Sequence, residues 1–240
     1  MAITLHSSGT IGVTAASTTL GFTLPTVEAN DVGIWHVHTQ KSTLTHAYPA
    51  GWTSVGTVLN QLVSTRTMGI SFAYRRFDGT ESGSTVSVKH GGASTAVLMG
   101  SISVWRGVST AAAAPYSTFV STTANSSIYN TLGLTIADTD HLCLYLVSNA
   151  DDQAAVAAMS SGTGISTSMT LGYNTESADG GGAILSMFHG IPTSSGAIQG
   201  GTIRMGTAEV WSAFEIALRA STEAPTGYWT PTSFGLMGVQ

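Results

Sequence analysis

"DVGIWHVHTQ", residues 31–40, is the stretch on which the fold turns. Val32, Ile34, His36 and His38 alternate with Gly33, Trp35, Val37 and Thr39, and the run is filled with β-branched and aromatic side chains. That is the two-residue period of a strand. The pattern recurs in "MGISFAYRRF" (68–77), "AVLMGSISVWRG" (96–107), "HLCLYLVS" (141–148), "AILSMFHG" (183–190) and "VWSAFEIALR" (210–219), with Gly, Pro, Asp, Ser and Asn between the runs. An α/β chain would need amphipathic helices of a dozen residues between such strands, and none is present. The alanine-rich "DDQAAVAAM" (151–159) has room for one helical turn or a loop over a sheet edge. The expected class is all-β: an antiparallel, jelly-roll-like β-sandwich.

The chain also resembles itself. "TLPTVEANDVGIWHVHTQ" is matched by "GLTIADTDHLCLYLVSN", each with an apolar-Thr lead, an acidic turn (Asp31; Asp138 and Asp140) and a buried strand. "GISFAYRRFDGTESGSTVSV" is shadowed by "AILSMFHGIPTSSGAIQGGTI", and "SISVWRG" by "EIALRA", both ending on arginine. An offset of about 110 residues predicts two half-domains folded alike and packed face to face. The expected organisation is an N-terminal strand or arm over 1–20, a sandwich over 21–220 with half-repeats at about 21–110 and 131–220, and an extended C-terminal arm over 221–240.

"YPAGWTSVGT" (48–57) reads as a corner. Pro49 and Gly51 make the turn, because proline presets φ and glycine adopts conformations closed to other residues. Trp52 then drops its indole into the sandwich, with its N–H expected on a backbone carbonyl. The competing reading is an exposed tryptophan that stacks on a ligand.

Charge is the unusual bulk property. Asp, Glu, Lys and Arg together make up 9% of the chain, against roughly 25% in ordinary soluble domains. Hydrophobic content is an ordinary 42%, so Gly, Ser, Thr and Ala replace the missing charge. Such a surface repels its neighbours weakly and favours association. A formal charge of -5 with scattered basic residues argues against nucleic acid as a partner. The single Cys143 excludes an intrachain disulfide framework and reads as a small buried thiol. No apolar run reaches the roughly 18 residues of a membrane span, and "MAITLHSSGTIGVTAAS" lacks the pattern of a secretion signal.

Pro49, Gly51 and Trp52 in the corner, Tyr74 and Arg75 in an aromatic strand, and Arg106, Gly107 and Val108 at a strand end follow one another in a distinctive order, with "AFEIALR" as final strand. Over residues 20–220 this order resembles β-sandwich proteins encoded among bacteriophage virion genes. The resemblance implies a capsid-decoration, tail-associated or fibre-associated protein with no catalytic residues and no cofactor. It also implies other virion proteins, the major capsid or tail protein, as partners, and location in a virion assembled in the bacterial cytoplasm. Beyond the resemblance, "STEAPTGYWTPTSFGLMGVQ" (221–240) combines Pro225 and Pro231 with apolar Tyr228, Trp229, Phe234, Leu236 and Met237. It reads as an assembly arm that lies on another surface, for instance a neighbouring copy in a homo-oligomer; the alternative is that it folds back on its own domain.

Candidate chemistry is sparse. His36-x-His38 has metal-like spacing on a strand, with His46 a conceivable third ligand, but hydrogen-bonded structural histidines are the plainer reading. Asp151-Asp152 and Asp138-x-Asp140 are the candidate carboxylate pairs for glycoside hydrolysis or calcium, and read more simply as turn formers. "DGTES" (78–82) reads as a hairpin connection and "DGGGAIL" (179–185) as a flexible turn, and no G-x-S-x-G elbow is present. The expected function, which the resemblance to virion proteins implies, is non-enzymatic: a capsid decoration or cement protein. The alternative is a tail- or fibre-associated module binding a host glycan through Trp35, Trp52 or Trp229.

Overall fold

Alternation of the kind seen at 31–40 builds strands throughout. The computed structural model describes residues 2–14, 17–40, 45–63, 66–91, 97–149, 158–160, 162–165, 169–177 and 183–221. Among them the first half of the chain forms β1 (Thr4–Thr14), β2 (Thr19–Thr23), β3 (Val32–Thr39), β4 (His46–Ala47), β5 (Thr53–Val63), β6 (Arg66–Arg76), β7 (Thr85–His90) and β8 (Leu98–Arg106). The second half forms β9 (Tyr116–Asn130), β10 (Leu134–Ile136), β11 (His141–Asn149), β12 (Thr170–Ser177), β13 (Ala183–Gly190), β14 (Gly196–Ile198) and β15 (Thr202–Arg219). No described residue is helical. Asp151, Asp152, most of "DDQAAVAAM", the glycine run before β13 and the arm residues Tyr228, Trp229, Phe234, Leu236 and Met237 lie outside the described residues.

The internal likeness is a duplication of topology. In the first half a five-stranded antiparallel sheet runs β1-β8-β3-β6-β5 and a three-stranded sheet runs β2-β7-β4. In the second half the five-stranded sheet runs β9-β15-β11-β13-β12 and a small sheet pairs β10 with β14. Strand for strand these are the same winding, that of a jelly roll, and β4 has no counterpart among the described residues. Ile34, Trp35 and Val37 on β3 correspond to Leu144, Tyr145 and Val147 on β11, in side-chain direction as well as register. The segment expected as an N-terminal strand or arm supplies β1, which pairs with β8.

Four layers result, with the two five-stranded sheets in the middle. One face of each meets the other sheet: Ile34, Ile70, Phe72 and Met99 from the first half pack on Leu144, Leu146, Leu185, Met187 and Phe214 from the second. The reverse faces are covered by the small sheets, through Leu20, Phe22 and Val88 on one side and Leu134, Ile136 and Ile198 on the other. β3 and β11 are therefore buried at every position. Strands covered on both faces cannot show hydrophobic-in, polar-out alternation. The joint between the halves is aromatic at its centre, where the Phe72 ring meets Phe214 edge-on at 4.9 Å and Phe119 at 5.8 Å.

Two expectations need correction. "DGTES" is not a hairpin: β6 lies in the five-stranded sheet and β7 in the three-stranded one, so the segment arches between layers. Its acids hold the arch, with Glu81 accepting the backbone N–H groups of Asp78 and Gly79 and the guanidinium of Arg75 at 2.7 Å. The acidic turns are also not equivalent in register. Asp31 receives a two-pronged ion pair from Arg106, both N···O distances 3.0 Å, whereas His141 stands opposite Arg219 in the second half. Asp138 and Asp140 fall just before that position, and the ion pair is not repeated there.

Phe72→Ala should lower the unfolding free energy by about 3–5 kcal/mol, because the cavity would open in the joint shared by both halves. Urea denaturation measures this, and a loss under about 1 kcal/mol would mean the two sheets do not pack through this ring.

Candidate functional site

The Pro49–Trp52 corner closes as expected, with the Trp52 N–H donating to the Pro49 carbonyl at 3.2 Å and Gly51 at φ 86°. Trp52 is 8% exposed and Trp35 0%. The two rings meet edge-on at 4.9 Å, Trp35 also touches Phe22 and Tyr48, and Trp52 touches Phe77. Glycines make the room. A Cβ on Gly33 would stand 2.8 Å from the Trp52 ring, and one on Gly100 2.8 Å from Phe22. The expected hydrogen bond from the indole is not made: Trp52 Nε1 is buried without a partner, as is Trp35 Nε1. The ring is held by shape and edge contacts because the layer above it offers apolar side chains rather than carbonyls. A glycan-stacking platform cannot use Trp35 or Trp52 in this position, and Trp229, the third candidate, lies outside the described residues.

The histidines divide between two networks on opposite faces of one sheet. Thr39, on the same face as Val37, is hydrogen-bonded to His46 Nε2. His46 Nδ1 lies 2.6 Å from Ser71 Oγ, which lies 2.6 Å from the Tyr48 hydroxyl. This network sits between the first five-stranded sheet and β4. His36 and His38 point the other way, into the joint between the halves. His36 Nδ1 is 3.1 Å from the Tyr173 hydroxyl on β12, and His36 Nε2 is 3.0 Å from Ser148 Oγ on β11. Both His38 nitrogens are buried with no hydrogen-bond partner.

Burial keeps these imidazoles neutral. It pushes His36 well below the ordinary histidine range, with the neighbouring His38 and His46 adding repulsion. It brings His38 and His46 each down to about 3. The sheet that separates His46 from His36 and His38 removes the three-ligand arrangement, and no group of three or more His, Cys, Asp or Glu among the described residues is placed to hold a metal ion.

The remaining candidates have structural partners. Asp138 accepts the Asp140 N–H at 3.0 Å and pairs with His141 Nδ1 at 3.0 Å. Cys143 is buried, and burial pushes its thiol up to about 12. One ionisable residue escaped sequence reading: Glu215, fully buried on β15. Its carboxyl group accepts the Tyr129 hydroxyl at 2.9 Å and the backbone N–H groups of Leu132 and Gly133 at 2.6 and 3.0 Å, tying down the turn after β9. Burial raises its pKa despite those donors. A lone acid inside the apolar run "AFEIALR" was the available signal.

Trp52→Ala should cost about 3–5 kcal/mol of stability. Trp52→Phe should cost less than half as much, since the indole N–H has no bond to lose; equal losses in urea titrations would show that the N–H matters after all. Comparison of the chain with protein-family models, with curated proteins and with solved structures gives no match.

Proposed function

We propose that the protein is a non-enzymatic structural component of a bacteriophage virion that decorates or cements the capsid through contacts with other virion proteins and with copies of itself. The observation that carries the reading is the scarcity of free charge. Of 8 Lys and Arg and 13 Asp and Glu, Arg75 and Glu81 hold one another, Arg106 is committed to Asp31 and Glu28, and Glu215 is buried. Arg76 is turned onto the carbonyls of Asn30 and Ser109. The exterior is thus poorer in unpaired ionic groups than the composition alone suggests, and such an exterior associates readily.

A stable contact needs more than about 1,000 Å² of buried area. The hollows beside the end of β15 could supply some. Ala220 lines a hollow of about 340 Å³ with Ile3, Leu142 and Ile191, and those three also line a neighbouring hollow of about 350 Å³. Ile191 is 58% exposed there. Residues 222–240, with Tyr228, Trp229, Phe234, Leu236 and Met237, follow in the sequence and lie outside the described residues.

Two outcomes test the reading. Removing 222–240 should leave a folded protein that no longer joins the particle; Ser221 is kept because its N–H donates to the Gly107 carbonyl. The purified full chain should self-associate in sedimentation runs, with an affinity little changed between about 0.05 and 0.5 M salt, since few ion pairs are available to be screened. A chain that stays monomeric at high concentration, or normal incorporation after truncation, overturns the proposal.

A further inference from the structure

The joint between the two jelly rolls carries polar groups that the proposed function does not use. On the joint face of the first sheet stand His36 and His38 from β3 and Ser101 from β8; on that of the second stand Ser148 from β11 and Ser212 from β15. All five are 0% exposed. Tyr173 reaches in from β12. His36 spans the joint, bonding Ser148 and Tyr173 of the other half. Ser101 Oγ, Ser212 Oγ and both nitrogens of His38 have no hydrogen-bond partner. A buried polar atom without a partner is disfavoured, and a buried charge without one much more so.

We infer that this joint is acid-labile: taking a proton on His38, and on His36, separates the two five-stranded sheets while each jelly roll keeps its own layers. The groups facing the pair decide the sign. β6 presents Ile70 and Phe72, β8 Met99 and Ser101, β11 Leu146 and Ser148, β15 Ser212 and Phe214, and β12 Tyr173. Tyr173 is the titratable group among them, held neutral by burial. His189 faces the same joint from its far end, against Trp105, and His46 lies across the sheet. No Asp or Glu among these facing residues offers a counter-charge.

An imidazolium at His38 therefore has neither a hydrogen-bond partner nor a counter-charge in the closed joint, and one at His36 has two hydroxyl groups but no counter-charge, whereas in an opened joint either meets water. The neutral form is favoured when closed, so closure is at full strength above the ordinary histidine pKa of about 6.5. Closure is progressively lost as pH falls from there toward the depressed value of about 3 for His38. In that window each histidine shifts the opening equilibrium by up to about tenfold per pH unit.

Methionines placed inside the joint and outside it supply the test on the full chain. Met99 and Met187 are buried in the joint, and Met159 is buried in the outer layer of the second half. Sulfoxide formation by dilute hydrogen peroxide, read by mass spectrometry at pH 7, 6 and 5, should accelerate at Met99 and Met187, by up to about tenfold per unit below pH 6.5 for each histidine that takes a proton, hence up to about a hundredfold for the pair, and not at Met159. His38→Leu should reduce the acceleration to the roughly tenfold per unit or less that His36 alone can give, His38→Gln should do the same if the leucine variant fails to fold, and His6→Gln, at an exposed position, should leave it intact. Equal acceleration at all three methionines, or an unchanged pH response in both His38 variants, overturns the inference.

Discussion

Burial of the two central sheets on both faces is the constraint from which the rest of the structure follows. A sheet with one wet face can shed its polar side chains into water. Here β3, β8, β11 and β13 have almost no wet face, so each hydroxyl, imidazole or carboxyl group on them meets another protein group or stays unpaired. The outcome differs from place to place. Glu215 is surrounded by three donors. His36 is held between two hydroxyl groups of the other half, and His46 is tied into a Thr39–Ser71–Tyr48 chain. His38 has no hydrogen-bond partner on either ring nitrogen.

Sheets that pack on both sides must also admit large rings without losing their hydrogen-bond ladders. The chain solves this with glycine inside strands, which normally weakens them. Gly33 and Gly100 sit in the two middle strands of the first sheet and leave the notches that Trp52, Phe77 and Phe22 fill. In the second half Gly200 lies so close to the Tyr145 ring that a Cβ would stand 2.3 Å from it. The aromatic corner and the glycine strands are thus two sides of one packing arrangement in the first jelly roll, while in the second the close glycine, Gly200, lies in the connection between β14 and β15.

Charge is managed by the same architecture. The few arginines in the first half serve as ties: Arg106 fastens Asp31 at the start of β3, Arg75 fastens the arch at Glu81, and Arg76 caps carbonyls of two loops. Each such tie engages an ionic group with a partner, although Arg106 and Glu28 stay partly exposed. A surface of Ser, Thr, Gly and Ala remains, which is soluble enough to fold and neutral enough to pack. The second half departs from this scheme where His141 replaces the acid opposite Arg219, leaving that arginine exposed. The two halves share the backbone winding, while the Arg106–Asp31 fastening has no equivalent at the matching position of β11 and β15.

The all-β class, the strand positions around residues 32, 70, 100, 143, 185 and 214, and the duplication were legible in the amino-acid order, because a two-residue period and turn chemistry are local properties. The Pro49–Gly51 turn was legible for the same reason. Burial was not. The alternation in "DVGIWHVHTQ" suggests one face in and one face out, yet both are in, since a second jelly roll from a hundred residues away covers the other side. The same cause parts His36 and His38 from His46: i and i+2 share a face by arithmetic, but which face His46 reaches depends on the sheet that receives β4. Sequence by itself determined where the chain extends and where it turns; only the tertiary stacking decided which side chains lose water, because desolvation is set by neighbours that local order does not specify.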